Sequence, residues 1–273
     1  MDDLKGMISE AADFIRARID LVPQIGLILG TGLGSLGEGI ELIATVDYGS
    51  IPHFPVSTVE SHQGRLLFGH LRSRPVVAMQ GRFHYYEGYT MKQVTFPVRV
   101  MKELGIEMLI VSNACGGLNP QFERGDIVII TDHINFQAGN PLIGRNDDTL
   151  GDRFPDMYNC YDKDLRKLAE ETALELKIPI RKGVYVSVAG PNLETAAEYR
   201  FFRAIGADVV GMSTVPEVIA ARHQKTKVLA FSIITDMGLP DALGPCSLDE
   251  IIATAKKAEP MLRDLIAACV GKM

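Results

Sequence analysis

Ile25-Gly26-Leu27-Ile28-Leu29-Gly30-Thr31-Gly32-Leu33-Gly34-Ser35-Leu36-Gly37-Glu38-Gly39-Ile40-Glu41-Leu42 decides between two α/β folds. Residues 25–29 are apolar throughout and read as a buried strand. Gly32-Leu33-Gly34-Ser35-Leu36-Gly37 then satisfies GxGxxG, and Asp47 stands near the end of the next strand, as in a dinucleotide-binding unit. The spacing argues against that unit: only about five residues precede the next strand, whereas a βαβ crossover needs roughly a dozen or more. What remains is a strand opening into a glycine-rich turn. Its N–H groups and the Thr31 hydroxyl suit an anion, although an ordinary tight turn has the same composition.

Outward from this stretch the pattern repeats. Continuous apolar runs at 65–68, 75–79, 108–112, 126–131, 183–188, 209–211 and 227–234 alternate with helical periodicity at 3–18, 90–104, 162–176, 195–205, 215–223 and 247–269. Runs without alternation are strands covered on both faces, which gives an α/β fold with a parallel or mixed sheet flanked by helices. The runs at 65–68 and 75–79 are close enough for a hairpin. Several strands open into small or polar loops, where ligands of such sheets sit. The 273 residues contain no repeat, low-complexity tract or linker, so residues 1–273 are read as a single domain.

Composition narrows the function. Apolar residues make up 47% and charged residues 23%, enough for a large core. A net charge of −6 without a basic run argues against nucleic acid. No apolar run reaches membrane-spanning length and no signal-peptide pattern opens the chain, so a soluble, cytoplasmic protein is expected. Cys115, Cys160, Cys246 and Cys269 are far apart and form neither a zinc pattern nor a disulfide framework.

Chemistry concentrates in Gln80-Gly81-Arg82-Phe83-His84-Tyr85-Tyr86-Glu87-Gly88, directly after a strand. A guanidinium and an imidazolium there offer charge-assisted donors to an anion, although a surface loop of paired charges has similar composition. Asn113-Ala114-Cys115-Gly116-Gly117 reads as a loop of small residues that lets a ligand approach the backbone. Cys115 lacks a partner base and reads as packing. Glu194 and Asp236 each follow a strand, either capping a helix or recognising a heterocycle. No HExxH or comparable spacing supports a metal.

Together with Ser61-His62-Gln63-Gly64-Arg65, Gly190-Pro191-Asn192-Leu193-Glu194-Thr195 and Gly211-Met212-Ser213-Thr214-Val215-Pro216-Glu217, these segments resemble the trimeric purine nucleoside phosphorylases of the nucleoside phosphorylase superfamily. The resemblance covers residues 25–236. It implies a central mixed sheet or distorted barrel flanked by helices, a homotrimer, no metal and no cofactor, with inorganic phosphate as co-substrate. The implied reaction is reversible phosphorolysis of purine (deoxy)ribonucleosides to free base and (deoxy)ribose 1-phosphate. Position by position, it implies a phosphate site of Thr31, His62, Arg82, His84, Ala114 and Ser213. Tyr86 and Met212 match the ribose contacts. Glu194, Asp236 and Tyr185 match the base site, with Glu194, Asp236 and His84 catalytic. Phe154, in the long polar stretch 137–156, matches an aromatic donated to the neighbouring subunit's site.

Two positions depart from the family pattern. Asp236 stands where 6-oxopurine-specific members usually carry asparagine. Such a carboxyl must be protonated to donate, or it accepts from a 6-amino group, so adenine tolerance is expected beside inosine and guanosine. Leu248 stands where the family often places a histidine for the ribose 5′-hydroxyl, which favours an apolar 5′ substituent. A non-catalytic nucleoside-binding protein and a water-using nucleosidase are the alternative classes. Neither needs the Arg82–His84 cradle.

Overall fold

Strand β5 (Met108–Gly117) is the axis of the fold: it pairs with three other strands. In this computed structural model, residues 3–30, 34–56 and 63–273 are described. On one side the first half of β5 runs parallel to β1 (Ile25–Leu29). On the other it runs parallel to β9 (Lys227–Met237) along its whole length. Its last two residues, Gly116 and Gly117, pair antiparallel with β8 (Val209–Gly211).

Two sub-sheets follow. Beyond β1 lies a wing: β1 pairs with β4 (Arg74–Gln80), β4 with β3 (Arg65–Leu71), and β3 with β2 (Glu41–Asp47). On the other side, β8 pairs with β7 (Ile180–Ser187), β7 with β6 (Ile127–Asn135), and β6 with β9, so the β5–β9 ladder closes a barrel. Closure removes the exposed edges that an open sheet would leave. The expected mixed sheet is thus a four-stranded wing joined to a distorted barrel.

The turn after β1 holds a short 3₁₀ segment, Gly34–Gly39, and no crossover helix among the described residues. Strand β1 is flanked by β4 and β5, not by β2, so the dinucleotide-binding unit is absent. Helices α1 (Leu4–Arg16), α2 (Met91–Leu104) and α5 (Val215–His223) share one apolar cluster with the sheet. Helices α3 (Lys163–Glu175) and α6 (Leu248–Lys272) share a second cluster, and α4 (Ala196–Ala204) packs its Tyr199 and Phe202 into a third beside the barrel mouth. Thr90, Asp162, Thr195 and Ser247 accept from backbone N–H groups at the starts of α2, α3, α4 and α6, satisfying donors the helices leave open. Among the described residues no helix is long and apolar enough to cross a membrane.

Two sequence expectations shift. Residues 113–117, read as a loop, continue β5, because they pair with β9 throughout and Gly116 and Gly117 pair with β8 as well. Their small side chains answer to crowding: a Cβ at Gly117 would lie 2.7 Å from the Met237 sulfur. Thr235 and Asp236, read as lying beyond the last strand, belong to β9.

Candidate active site

The end of β9 and the end of β5 meet at an irregularity. Cys115 pairs with Ile234 but Gly116 pairs with Asp236, so Thr235 is an extra residue in the ladder. Such a bulge re-aims the side chains around it. The Thr235 hydroxyl lies 3.1 Å from the Cys115 carbonyl and 2.8 Å from Asp236 Oδ1. Asp236 is thereby turned into a cavity of about 170 Å³ at the barrel mouth.

Arg82 and His84 line the same cavity. Arg82 follows Gly81, whose φ of +108° is glycine territory and whose carbonyl accepts from the Tyr48 hydroxyl at 2.8 Å. The Arg82 side chain is 1% exposed. It donates from Nη1 to the Ser112 carbonyl at 2.9 Å, from Nε to Glu217 Oε1 at 3.2 Å, and from Nη2 to Glu217 Oε2 and the Thr214 hydroxyl. Thr214 accepts from Asn113 Nδ2 at 2.9 Å, and Asn113 Oδ1 accepts from Ser232 at 2.8 Å. Thr214 itself has φ +67°, a conformation a β-branched residue adopts only when its surroundings impose it. These buried groups hold the guanidinium in one orientation, beside the first turn of α5.

His84 Nδ1 lies 3.0 Å from Glu87 Oε1, and its ring stacks on Tyr86 with centroids 4.6 Å apart. A carboxylate only accepts, so Nδ1 carries the proton. Burial lowers the His84 pKa, opposed by the Glu87 hydrogen bond. Burial thus works against the imidazolium form, and the Glu87 carboxylate works for it.

Two carboxyls line the same cavity. Burial raises the pKa of Asp236, and the Thr235 hydrogen bond works against it. Burial likewise raises Glu194, with the Asp236 charge adding to the shift and the nearby Tyr199 hydroxyl lowering it. Glu194 does not cap α4; Thr195 does, in a box with Glu198. Ala114, Tyr86, Met212 and Ser213 complete the lining, together with Leu248 and Ile251 of α6.

Most of the expected site residues therefore converge. Thr31 and His62 lie outside the described residues. Tyr185 sits behind the wall, fully buried, with its hydroxyl 3.4 Å from the Ser213 nitrogen and its ring under Gly211. It props the 211–213 segment rather than lining the cavity. Phe154 is 87% exposed and borders a separate cavity with His133 and Ile219. Cys115 forms part of the wall, and burial pushes its thiol up, away from nucleophilic character. Sequence reasoning missed Asn113, Thr214 and Glu217 as the clamp on Arg82. Pro216 and Glu217 signalled a helix start, but no local signal names an arginine 135 positions earlier as the partner.

Comparison with known proteins fits this geometry. The Phosphorylase superfamily profile matches residues 24–271. Purine nucleoside phosphorylase 1 of Bacillus subtilis is 53% identical, covering 98% of this chain and 99% of its own. The crystal structure of Schistosoma mansoni purine nucleoside phosphorylase in complex with adenosine superimposes with a TM-score of 0.92 at 41% identity, covering 97% and 96% of the two chains. A schistosoma purine nucleoside phosphorylase in complex with hypoxanthine gives 0.92 at 40% identity, with the same coverage.

Proposed function

The chain belongs to the phosphorylase superfamily, among its purine nucleoside phosphorylases, and from that membership we propose how its site works and which bases it takes. It is an enzyme with purine nucleoside phosphorylase activity. We read the reaction as reversible: nucleoside plus inorganic phosphate gives free purine and (deoxy)ribose 1-phosphate, without metal or other cofactor. The observation that carries the reading is that one cavity brings Arg82 and His84 together with Glu194 and Asp236.

Phosphate is held by Arg82, His84, the Ala114 backbone and Ser213, with Thr31 and His62 completing the cradle. As the C1′–N9 bond breaks, the sugar gains oxocarbenium character and electrons flow into the purine. An anion fixed behind C1′ and a partner for the departing base are what that transition state needs. His84, with Nδ1 tied to Glu87, presents Nε2 to a phosphate oxygen. Glu194 accepts from N1–H of a 6-oxopurine. Asp236, kept protonated by its burial, donates toward N7; ionised, it accepts from a 6-amino group. 6-Oxopurine nucleosides are therefore favoured and adenosine is tolerated. The adenosine and hypoxanthine complexes of the schistosome relatives support that range.

Tyr86 and Met212 contact the ribose. Leu248 and Ile251 make the far end of the cavity apolar, which favours a 5′ substituent such as methylthio. Phe154, exposed on its loop, closes the site of a neighbour in a homotrimer. Four free cysteines support a reducing, cytoplasmic setting.

The test is a panel of inosine, guanosine, adenosine and methylthioadenosine with and without phosphate. Base release from inosine and adenosine only in the presence of phosphate is expected. Release without phosphate would mean a nucleosidase, and no release would mean a binding protein.

A further inference from the structure

We propose that the chain has a second anion site, for a phosphoryl group, in the cavity of about 820 Å³ between α1, α2, the C-terminal end of α5 and the 141–150 loop. Three cations border it: Lys92, Arg99 and Arg145. Among the described residues none of them makes an ion pair. Lys92 stands over the loop, since a Cβ on Gly144 would lie 3.4 Å from its Nζ.

Arg99 makes the case. It is 3% exposed, yet its one hydrogen bond runs from Nη1 to His223 Nδ1 at 3.3 Å. A buried guanidinium normally faces a carboxylate or a phosphate, because removing its charge from water is costly otherwise. The cavity's acids form no ion pair with these cations among the described residues, although the Asp147 charge acts on Arg99 and Arg145. Asp147 Oδ1 accepts from the Thr149 nitrogen at 2.9 Å and hydroxyl at 2.6 Å. Asp148 Oδ1 accepts from Asn146 Nδ2 at 2.8 Å. Lys5, the neighbouring cation on α1, is paired with Glu103 at 2.7 Å. His223 Nε2 meets Asn146 Oδ1 at 3.3 Å, so the histidine bridges arginine to loop and adds no negative charge. Burial also pulls the Arg99 pKa down to about 10, with Asp147 only partly restoring it.

A planar fork of donors with an ammonium across a polar cavity suits a phosphate monoester or inorganic phosphate. The volume leaves room for an ester group. Helix α5 carries Glu217 at the active site and His223 here, roughly 9 Å apart along its axis. An anion on Arg99 would therefore bear on both ends of one rigid element.

Equilibrium dialysis with labelled inorganic phosphate tests this on the intact enzyme. Two anions per chain are expected, one in each cavity. In Lys92→Ala/Arg145→Ala, at positions outside the catalytic site, the second should weaken at least tenfold while inosine turnover is kept. Arg99→Lys, which retains charge but not the fork, should weaken it less. Ribose 5-phosphate displacing the second anion more tightly than phosphate itself would identify a sugar phosphate as the occupant; equal binding would identify free phosphate. A single phosphate per chain in the wild type, or a second one that the double variant binds unchanged, overturns the proposal.

Discussion

The proposed base range rests on Asp236, whose carboxyl can either give a proton or accept from an amine. Asp236→Asn leaves shape and hydrogen-bond capacity but removes the charge and the transferable proton. The expected result is adenosine kcat/KM reduced at least tenfold relative to inosine, about 1.4 kcal/mol of transition-state stabilisation, read from paired steady-state measurements. Behind the cavity lining, Glu217 balances the Arg82 guanidinium, which is 1% exposed. Glu217→Gln keeps one acceptor and removes the counter-charge. Breaking a buried pair in this way costs about 3–5 kcal/mol, so urea unfolding should shift by an amount near that range. Phosphate KM should rise with little change in nucleoside KM, because the reoriented group is Arg82.

At the scale of elements, the bulge at Thr235 does for Asp236 what the α5 clamp does for Arg82. Thr235→Val is nearly isosteric and removes the hydroxyl that reaches both Cys115 and Asp236. That hydrogen bond lowers the Asp236 pKa against burial, so its loss raises the pKa further. The protonated carboxyl then persists to higher pH, and the alkaline limb of the kcat profile should move up. A limb that stays in place would assign it to another group. The 137–156 loop carries the second element-scale prediction. Phe154 is 87% exposed, so Phe154→Ala should leave the unfolding free energy within about 0.5 kcal/mol. Nucleoside kcat/KM should nonetheless fall at least tenfold if the ring closes a neighbour's site.

These devices mark the limit of what the chain alone discloses. The apolar runs named the barrel strands and the three inner wing strands except where pairing extended them, because burial leaves a plain compositional trace; β2, exposed along most of its length, was expected only as the strand after the glycines. The five-residue gap after the glycines excluded the crossover, and the structure has none. Barrel closure through β5 and β9 was not legible, since pairing of residues 119 positions apart leaves no local pattern. Nor was the depth of His84, which lowers its pKa against the pull of Glu87.

Across the whole molecule, protonation links the histidines to stability. Burial lowers the pKa of His84, His133 and His223 alike. In the unfolded chain each titrates near its usual value of about 6.5, so just below that pH the unfolded state binds more protons than the folded one. Stability therefore rises with pH through this window and is lost as pH falls from about 6.5 toward the folded values. The slope is at most about 1.4 kcal/mol per pH unit for each group. Asp236 and Glu194 act in the opposite sense. Their raised pKa values mean that the folded state takes up protons first as pH drops, which offsets part of the loss. For His223 the geometry shows why protonation is resisted. Arg99 can only donate, so Nδ1 must accept, and a proton there would set two cations 3.3 Å apart. His133 Nδ1 lies 3.0 Å from the Tyr161 hydroxyl, inside the barrel wall. Urea unfolding at pH 7.5, 6.5 and 5.5 should show falling stability. His133→Gln/His223→Gln, which cannot titrate, should flatten the decline while lowering stability at pH 7.5. An unchanged slope in the double variant would assign the acid sensitivity to His84 alone.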